Sequence, residues 1–102
     1  MNDHPKLEFL VDFDDHIAWD VEQKGWFGAC VLRFPDGSSL PVTFYDPTRL
    51  QQEIDFAFKQ GATCFSEAGL IVIPAVTKEN MLMAIENLIT ANHFEGMVRS
   101  TP

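Results

Sequence analysis

The sequence predicts an α+β fold, a two-layer sandwich in which two helices pack on one face of a mostly antiparallel sheet. Two observations lead to this prediction. Apolar and polar residues alternate with a period of two through most of the first half, as they do in β-strands. In the second half, two segments carry apolar residues every three or four positions, as on one face of a helix. The predicted element order is β-β-β-β-α-β-β-α, in a single domain covering residues 1–102.

Four strands are predicted before the first helix. Apolar and polar side chains alternate in residues 7–13 and 17–21, and residues 26–34 form a near-continuous apolar run. The pair Asp36-Gly37 favours a tight hairpin turn, after which residues 40–45 return as the fourth strand. Because short turns connect these segments, the sequence predicts an antiparallel meander.

Capping signals mark the starts of both helices. Asp46 and Pro47 precede the first apolar stripe, Gly61 follows it, and Thr77 precedes the second stripe. The residues expected to be buried are Leu50, Ile54, Ala57 and Phe58 on the first helix, and Met81, Leu82, Ile85, Leu88 and Ile89 on the second.

The segments around the second helix are less regular. Residues 62–74 are predicted to form a hairpin of two short strands, with one bent strand as the alternative. Residues 93–102 are predicted to be a loosely held tail. No repeat or linker divides the chain.

The net charge of −8 is concentrated at the start of the chain. Residues 1–22 contain seven acidic residues and one lysine, a balance of −6. This argues against nucleic-acid binding, because phosphate contacts require clustered Lys and Arg. No apolar run approaches the roughly 18–20 residues of a membrane span, and no export signal is recognisable, so we expect a cytoplasmic protein without a membrane partner. Cys30 and Cys64 lie in apolar segments and are expected to be buried, reduced thiols.

The segment "DFDDH" at residues 12–16 raises the question of a metal or acid/base site. Asp12, Asp14 and His16 would share one face of an extended strand, and they offer oxygen and imidazole ligands. No second cluster of ligands stands elsewhere in the sequence to complete such a site. An enzyme using these three residues is therefore the weakest hypothesis, and we predict no catalytic residue, metal site or cofactor.

The preferred hypothesis is a small acidic binding protein that recognises a basic protein partner through its N-terminal strands. An acidic surface attracts and orients a basic partner. The predicted partner-binding residues are Asp12, Asp14, Asp15, His16 and Asp20.

A different class of function, binding of a small molecule, is the alternative hypothesis. A pocket between sheet and helices would combine aromatic walls with a cation able to meet a carboxylate or phosphate. The candidate pocket residues are Trp19, Trp26, Tyr45 and Arg49.

The third predicted strand also suggests a homodimer. It has apolar side chains on both faces, whereas two helices cover only one face of a sheet. A second copy would cover the other face, and closed symmetric dimers are the commonest soluble assembly. Phe27 and Val31 are the predicted interface residues, and Phe56 and Met83 are alternative ones on the helices.

Overall fold

The computed structural model describes residues 4–97 and 99–100, in which three helices and six strands follow the order β-α-β-β-β-β-α-β-α. The α+β class predicted from the sequence is confirmed. The strands are β1 (Lys6–Phe9), β2 (Trp26–Phe27), β3 (Cys30–Arg33), β4 (Ser39–Pro41), β5 (Thr43–Tyr45) and β6 (Leu70–Val72), and the helices are α1 (Asp15–Lys24), α2 (Pro47–Lys59) and α3 (Lys78–Thr90).

The strands form two small sheets. In the first, β3 lies between β1 and β4 and is antiparallel to both. In the second, β5 lies between β2, which is antiparallel to it, and β6, which is parallel to it. Parallel neighbours require a long crossover connection, and α2 supplies it. The predicted antiparallel meander is therefore wrong. Strand β1 pairs with β3, from which α1 separates it in sequence, and β5 and β6 are parallel.

The segment predicted as the second strand, residues 17–21, is part of α1. Its apolar residues satisfy two periodicities at once, since Ile17 and Val21 are also four positions apart and share a helix face. The capping residue Asp14 favours the helix, because its side chain accepts the backbone N–H of Ile17 at 2.9 Å. Trp19 then points away from Val21 and is exposed.

The predicted hairpin at 62–74 is also wrong, since residues 62–69 have no regular secondary structure and only β6 forms. Gly69 has a φ of 64° and packs against the backbone of Pro41 and Val42. Its carbonyl oxygen accepts the N–H of Thr43 at 3.0 Å, which leads the chain into β6 beside β5. The residues before Gly69 therefore form no strand of either sheet.

The core lies between the two sheets and the inner faces of α1 and α3. Leu32, Val42, Phe44, Val76 and Met81 are completely buried in it. Both predicted helix starts are confirmed, with Asp46 and Thr77 as N-caps. Of the predicted stripe on α3, Leu82 is exposed and the others are buried or packed against the core.

The described part of the C-terminal segment, which was predicted to be a loosely held tail, contacts the rest of the domain. Phe94 is buried in the core, and the guanidinium of Arg99 lies 3.8 Å from the centre of the Phe34 ring. Ser39 and Ser100 exchange two backbone hydrogen bonds of 2.8 and 2.9 Å. Val98, Thr101 and Pro102 lie outside the described residues.

The sheet face predicted to be a dimer interface is covered within the chain. Phe27 is only 4% exposed, and its ring packs against those of Phe9 and Phe13 at centroid distances of 5.8 and 5.3 Å. Val31 is half-buried on β3. The prediction that Phe27 lies on an open face is wrong, because the chain folds its own aromatic residues over it.

Candidate functional site

The acidic N-terminal segment is a loop followed by a helix. Residues 10–14 leave β1, and Asp14 starts α1 as its N-cap. Asp15 follows in the first turn, where a negative charge interacts favourably with the helix dipole. The partner-binding residues were predicted to belong to the N-terminal strands; this is wrong for Asp15, His16 and Asp20, which the structure places on α1.

The two faces of α1 differ in character. Val21 is buried, and Ile17 packs against the core. Trp19 projects on the other side and is 64% exposed, the largest exposed fraction among the large apolar residues of the described chain. Residues three and four positions apart are neighbours on a helix surface. The exposed neighbours of Trp19 are Asp15, His16, Glu22 and Gln23.

Three acidic side chains of this loop and helix are uncompensated. Asp12, Asp15 and Glu22 are exposed, and no ion pair or side-chain hydrogen bond engages their carboxylates within the described residues. Asp20 differs, since it forms a 2.9 Å salt bridge with Lys24. We refer to Asp12, Asp15, His16, Trp19 and Glu22 as the α1 surface.

The structure therefore divides the predicted partner-binding residues. Asp12, Asp15 and His16 belong to the α1 surface. Asp14 is exposed, but its carboxylate is engaged in capping the helix. Asp20 is half-buried and paired with Lys24. Sequence reasoning had assigned Trp19 to a pocket and did not propose Glu22, although the i+3 spacing of Glu22 from Trp19 on a helix would have suggested it.

The other predicted pocket residues form a separate cluster. Trp26 and Tyr45 are directly opposite each other on β2 and β5. Tyr45 is only 3% exposed. Its hydroxyl donates to the carboxylate of Glu67, 2.8 Å from both oxygens, and the ring of Phe65 packs edge-on at 6.4 Å. The hydroxyl and the ring of Tyr45 are thus both in contact with the protein's own side chains.

Arg49 has a structural role next to this cluster. Its guanidinium pairs with Glu53 at 2.8 Å and donates to the backbone carbonyl of Lys24 at 3.2 Å. The latter contact places a positive charge at the C-terminal end of α1, where the helix dipole favours it.

Burial raises the pKa of Tyr45 to about 12, and the hydrogen bond and charge of Glu67 act in the same direction. Among the described residues, no ring contact joins Trp19 to this cluster.

Open grooves lie at another part of the surface. One has a volume of about 670 Å³ and separates the start of β1 from α3, with Lys6, Leu7, Leu82 and Glu86 in its walls. A second groove of about 460 Å³ continues towards Phe94 and Arg99. His4 borders both grooves. None of the four predicted pocket residues lines these grooves.

The two cysteines have different environments. Cys30 is buried, its thiol donates to the carbonyl of Val42 at 3.5 Å, and burial raises its pKa to about 12. Cys64 is exposed, so the prediction of a second buried thiol is wrong. It lies in the irregular segment of residues 62–69 instead of on a strand. Within the described residues, no group of three His, Cys, Asp or Glu side chains is arranged to hold a metal ion.

Comparison with protein-family models, with characterised proteins and with solved structures finds no significant match to this chain. None of the helices in the described residues combines the length and apolar character needed to cross a membrane.

Proposed function

We propose that this protein is a small acidic binding protein of the cytoplasm that recognises a basic protein partner through the α1 surface. The observation that carries the proposal is the exposure of Trp19 among uncompensated carboxylates. Tryptophan is enriched among the few residues that dominate binding energy at protein interfaces.

The apolar contribution of Trp19 supports binding. A tryptophan side chain has up to about 250 Å² of surface, and burying apolar surface gains about 25 cal/mol per Å². At 64% exposure, complete burial of Trp19 against a partner would gain up to about 4 kcal/mol. Because α1 packs on the core through Ile17 and Val21, the side chain of Trp19 remains exposed and can be buried by a partner.

The charges around Trp19 support a basic partner. Asp12, Asp15 and Glu22 attract a cationic surface and increase its association rate. An arginine of the partner can stack on the indole ring while it pairs with a neighbouring carboxylate. The expected binding surface on the partner therefore carries Arg or Lys side chains around an apolar recess.

The proposal is tested by capture of partners from a lysate of the source cell, with tagged wild-type protein at low and at high salt. We expect a specific basic protein that Trp19→Ala fails to retain and that high salt weakens. The charge variant Asp12→Asn/Asp15→Asn/Glu22→Gln should also lose it. Capture that is unaffected by these variants would contradict the proposal.

A matched control variant distinguishes an effect of the α1 surface on binding from an effect of the protein's net charge. The variant Glu79→Gln/Glu86→Gln/Glu95→Gln removes the same number of negative charges from exposed positions on and after α3. It should bind the partner as wild type does. An equal loss of binding in both triple variants would mean that total charge, and not this surface, attracts the partner.

A further inference from the structure

The strand β1 is an edge of the first sheet. It pairs with β3 on one side, and in the described residues no strand pairs with its other side. In antiparallel strands, opposite residues that exchange backbone hydrogen bonds alternate with opposite residues that do not. The N–H of Leu10 donates to the carbonyl oxygen of Ala29, which lies opposite it, at 2.8 Å. Two positions back, Glu8 also bonds to β3, whereas the backbone groups of Leu7 and Phe9 point to the open side.

The helix α3 runs along β1 on this open side. At one end, the ammonium group of Lys78, the first residue of α3, lies 5.5 Å from the centre of the Phe9 ring. At the other end, the later turns of α3 face the start of β1 across the groove of about 670 Å³. No residue of β3 lines this groove, so it lies on the side of β1 away from β3.

The apolar stripe of α3 continues into this groove. Ile85 is 3% exposed, whereas Leu82, one turn earlier, is 40% exposed. Both side chains line the groove together with Leu7 of β1. Because the first sheet ends at β1, no strand covers this part of the stripe. A further strand beside β1 would place every second side chain against Leu82, since side chains alternate between the two faces of a sheet.

The two walls of the groove carry opposite charges. Lys6 on β1 and Glu86 on α3 are exposed, and no ion pair engages either of them within the described residues. Lys6 alternates with the half-buried Leu7 and therefore lies on the outer face of the sheet. Glu86 follows Leu82 by four positions and shares its side of α3. A strand between the walls would meet Lys6 with its outward side chains and Glu86 with its inward ones.

We infer that the open side of β1 and this groove bind an extended peptide segment of another protein, which adds a fourth strand to the first sheet. Strand addition obtains affinity from main-chain hydrogen bonds, here with Leu7 and Phe9, and specificity from alternate side chains. The segment has apolar residues facing Leu82, a Lys or Arg facing Glu86, and an Asp or Glu opposite Lys6, because opposite charges on neighbouring strands are stabilising.

A second copy of this chain fits the groove less well than a separate peptide does. Its β1 would bring its own α3 onto the same face of the sheet, where one helix is already present. Both copies would also carry a net charge of −8. The inference does not depend on the α1 surface, which lies on a different helix.

The test begins with selection of a random peptide library, displayed on phage, against the purified full chain. The enriched peptides should alternate apolar and polar residues. They should lose binding to Leu82→Asp, which places a charge in the apolar wall. The control Met83→Asp introduces the same charge at the next position, which is 52% exposed and lines neither groove, and it should bind as wild type does.

Two variants at one position test the backbone hydrogen bonds. Leu7→Pro and Leu7→Ala both remove the leucine side chain, but only proline removes the N–H on the open side. Proline is tolerated on an edge strand when its position faces away from the neighbouring strand. The dissociation constant of a synthetic enriched peptide should be on the order of tenfold higher for Leu7→Pro than for Leu7→Ala, since one hydrogen bond is lost.

Amide hydrogen exchange measured by NMR decides the question if Leu7→Pro fails to fold. The peptide should slow exchange at Leu7 and Phe9 and leave Glu8, which already bonds to β3, unchanged. The inference would be overturned if no peptide is enriched, if Leu82→Asp binds as wild type does, or if exchange at Leu7 is unaffected. A dimeric wild type with Leu7 and Phe9 protected in the absence of peptide would also overturn it, because a second copy would then occupy the edge.

Discussion

The hydroxyl of Tyr45 donates to the carboxylate of Glu67, 2.8 Å from both oxygens, across a separation of 22 residues. This contact joins β5, in the middle of the second sheet, to the irregular segment of residues 62–69. Together with the ring contact between Tyr45 and Phe65, it holds residues 62–69 on the sheet.

The first prediction concerns this contact at neutral pH. Tyr45→Phe keeps the ring packing but removes the donor, so the free energy of unfolding should fall by about 1.5–3 kcal/mol, the range for a hydrogen bond to a charged group. Urea unfolding at pH 7 measures the difference. A change smaller than about 0.5 kcal/mol would show that water replaces the hydroxyl as the partner of Glu67.

The second prediction concerns the same residue at high pH. The pKa of Tyr45 rises from its ordinary value of 10 to about 12 in the folded protein. Below pH 10 the side chain is neutral in both states, and between pH 10 and 12 the unfolded chain loses its proton first. Wild type should therefore lose up to about 2–3 kcal/mol of stability over this window, beyond any loss in Tyr45→Phe.

The comparison with Tyr45→Phe is necessary because Cys30 acts in the same direction. Burial raises the pKa of its thiol from 9 to about 12, so it also lowers stability as the pH rises above 9. Both proteins contain Cys30, and the difference between them isolates the tyrosine. Stability curves that run parallel between pH 9 and 11 would contradict the prediction.

The third prediction is the reactivity of the two thiols. Cys64 is exposed and Cys30 is buried, so native protein should react with one equivalent of a thiol reagent quickly and with a second only on unfolding. Cys64→Ser should abolish the fast phase, and Cys30→Ala should abolish the slow one. Two fast equivalents in the native state would mean that the core around Cys30 opens readily.

The fourth prediction separates the fold from the proposed binding surface. Asp14→Ala removes the N-cap of α1 and should lower the free energy of unfolding by about 1 kcal/mol, while Asp14→Asn, which keeps the capping oxygen, should cost less. Asp12→Asn changes an adjacent acid that makes no such bond and should leave thermal stability nearly unchanged. Equal losses for Asp12→Asn and Asp14→Ala would contradict the capping role.

The fifth prediction compares two glycines with positive φ. At Gly69, φ is 64° and an added methyl group would lie 2.8 Å from the Cα of Val42; at Gly61, φ is 94° and nothing lies within 4 Å. Gly61→Ala should cost about 1–2 kcal/mol for its backbone conformation alone. Gly69→Ala should cost clearly more, because backbone must also move. Equal thermal stabilities of the two variants would show that the contact near β4 is easily relieved.

Capping and turn signals were read correctly from the sequence because they act within a few residues. Asp46 with Pro47 and Thr77 mark the starts of α2 and α3 where predicted. The same reasoning failed at Asp14, which was interpreted as part of an acidic cluster. Ile17, Trp19 and Val21 fit both a strand and a helix, and only the capping contact at Asp14 decides between them.

Local sequence patterns were also insufficient to locate the candidate sites. That the N-terminal segment is acidic was evident from composition, but the separation of Trp19 from Trp26 required knowing that residue 19 lies on a helix. The cluster of Tyr45 and Glu67 joins residues far apart in sequence, and no local pattern indicates that Glu67 would accept the hydrogen bond of Tyr45.

The sequence by itself determined the α+β class, the boundaries of two helices and the acidic character of the first residues, since each depends on local periodicity, capping or composition. Only the tertiary structure decided which strands pair, that Phe27 is covered by Phe9 and Phe13, and that α2 remains unburied. These features depend on contacts between distant segments. Their energies arise only when the whole chain is packed, so neither strand order nor the covered face of a sheet can be read from a short stretch of residues.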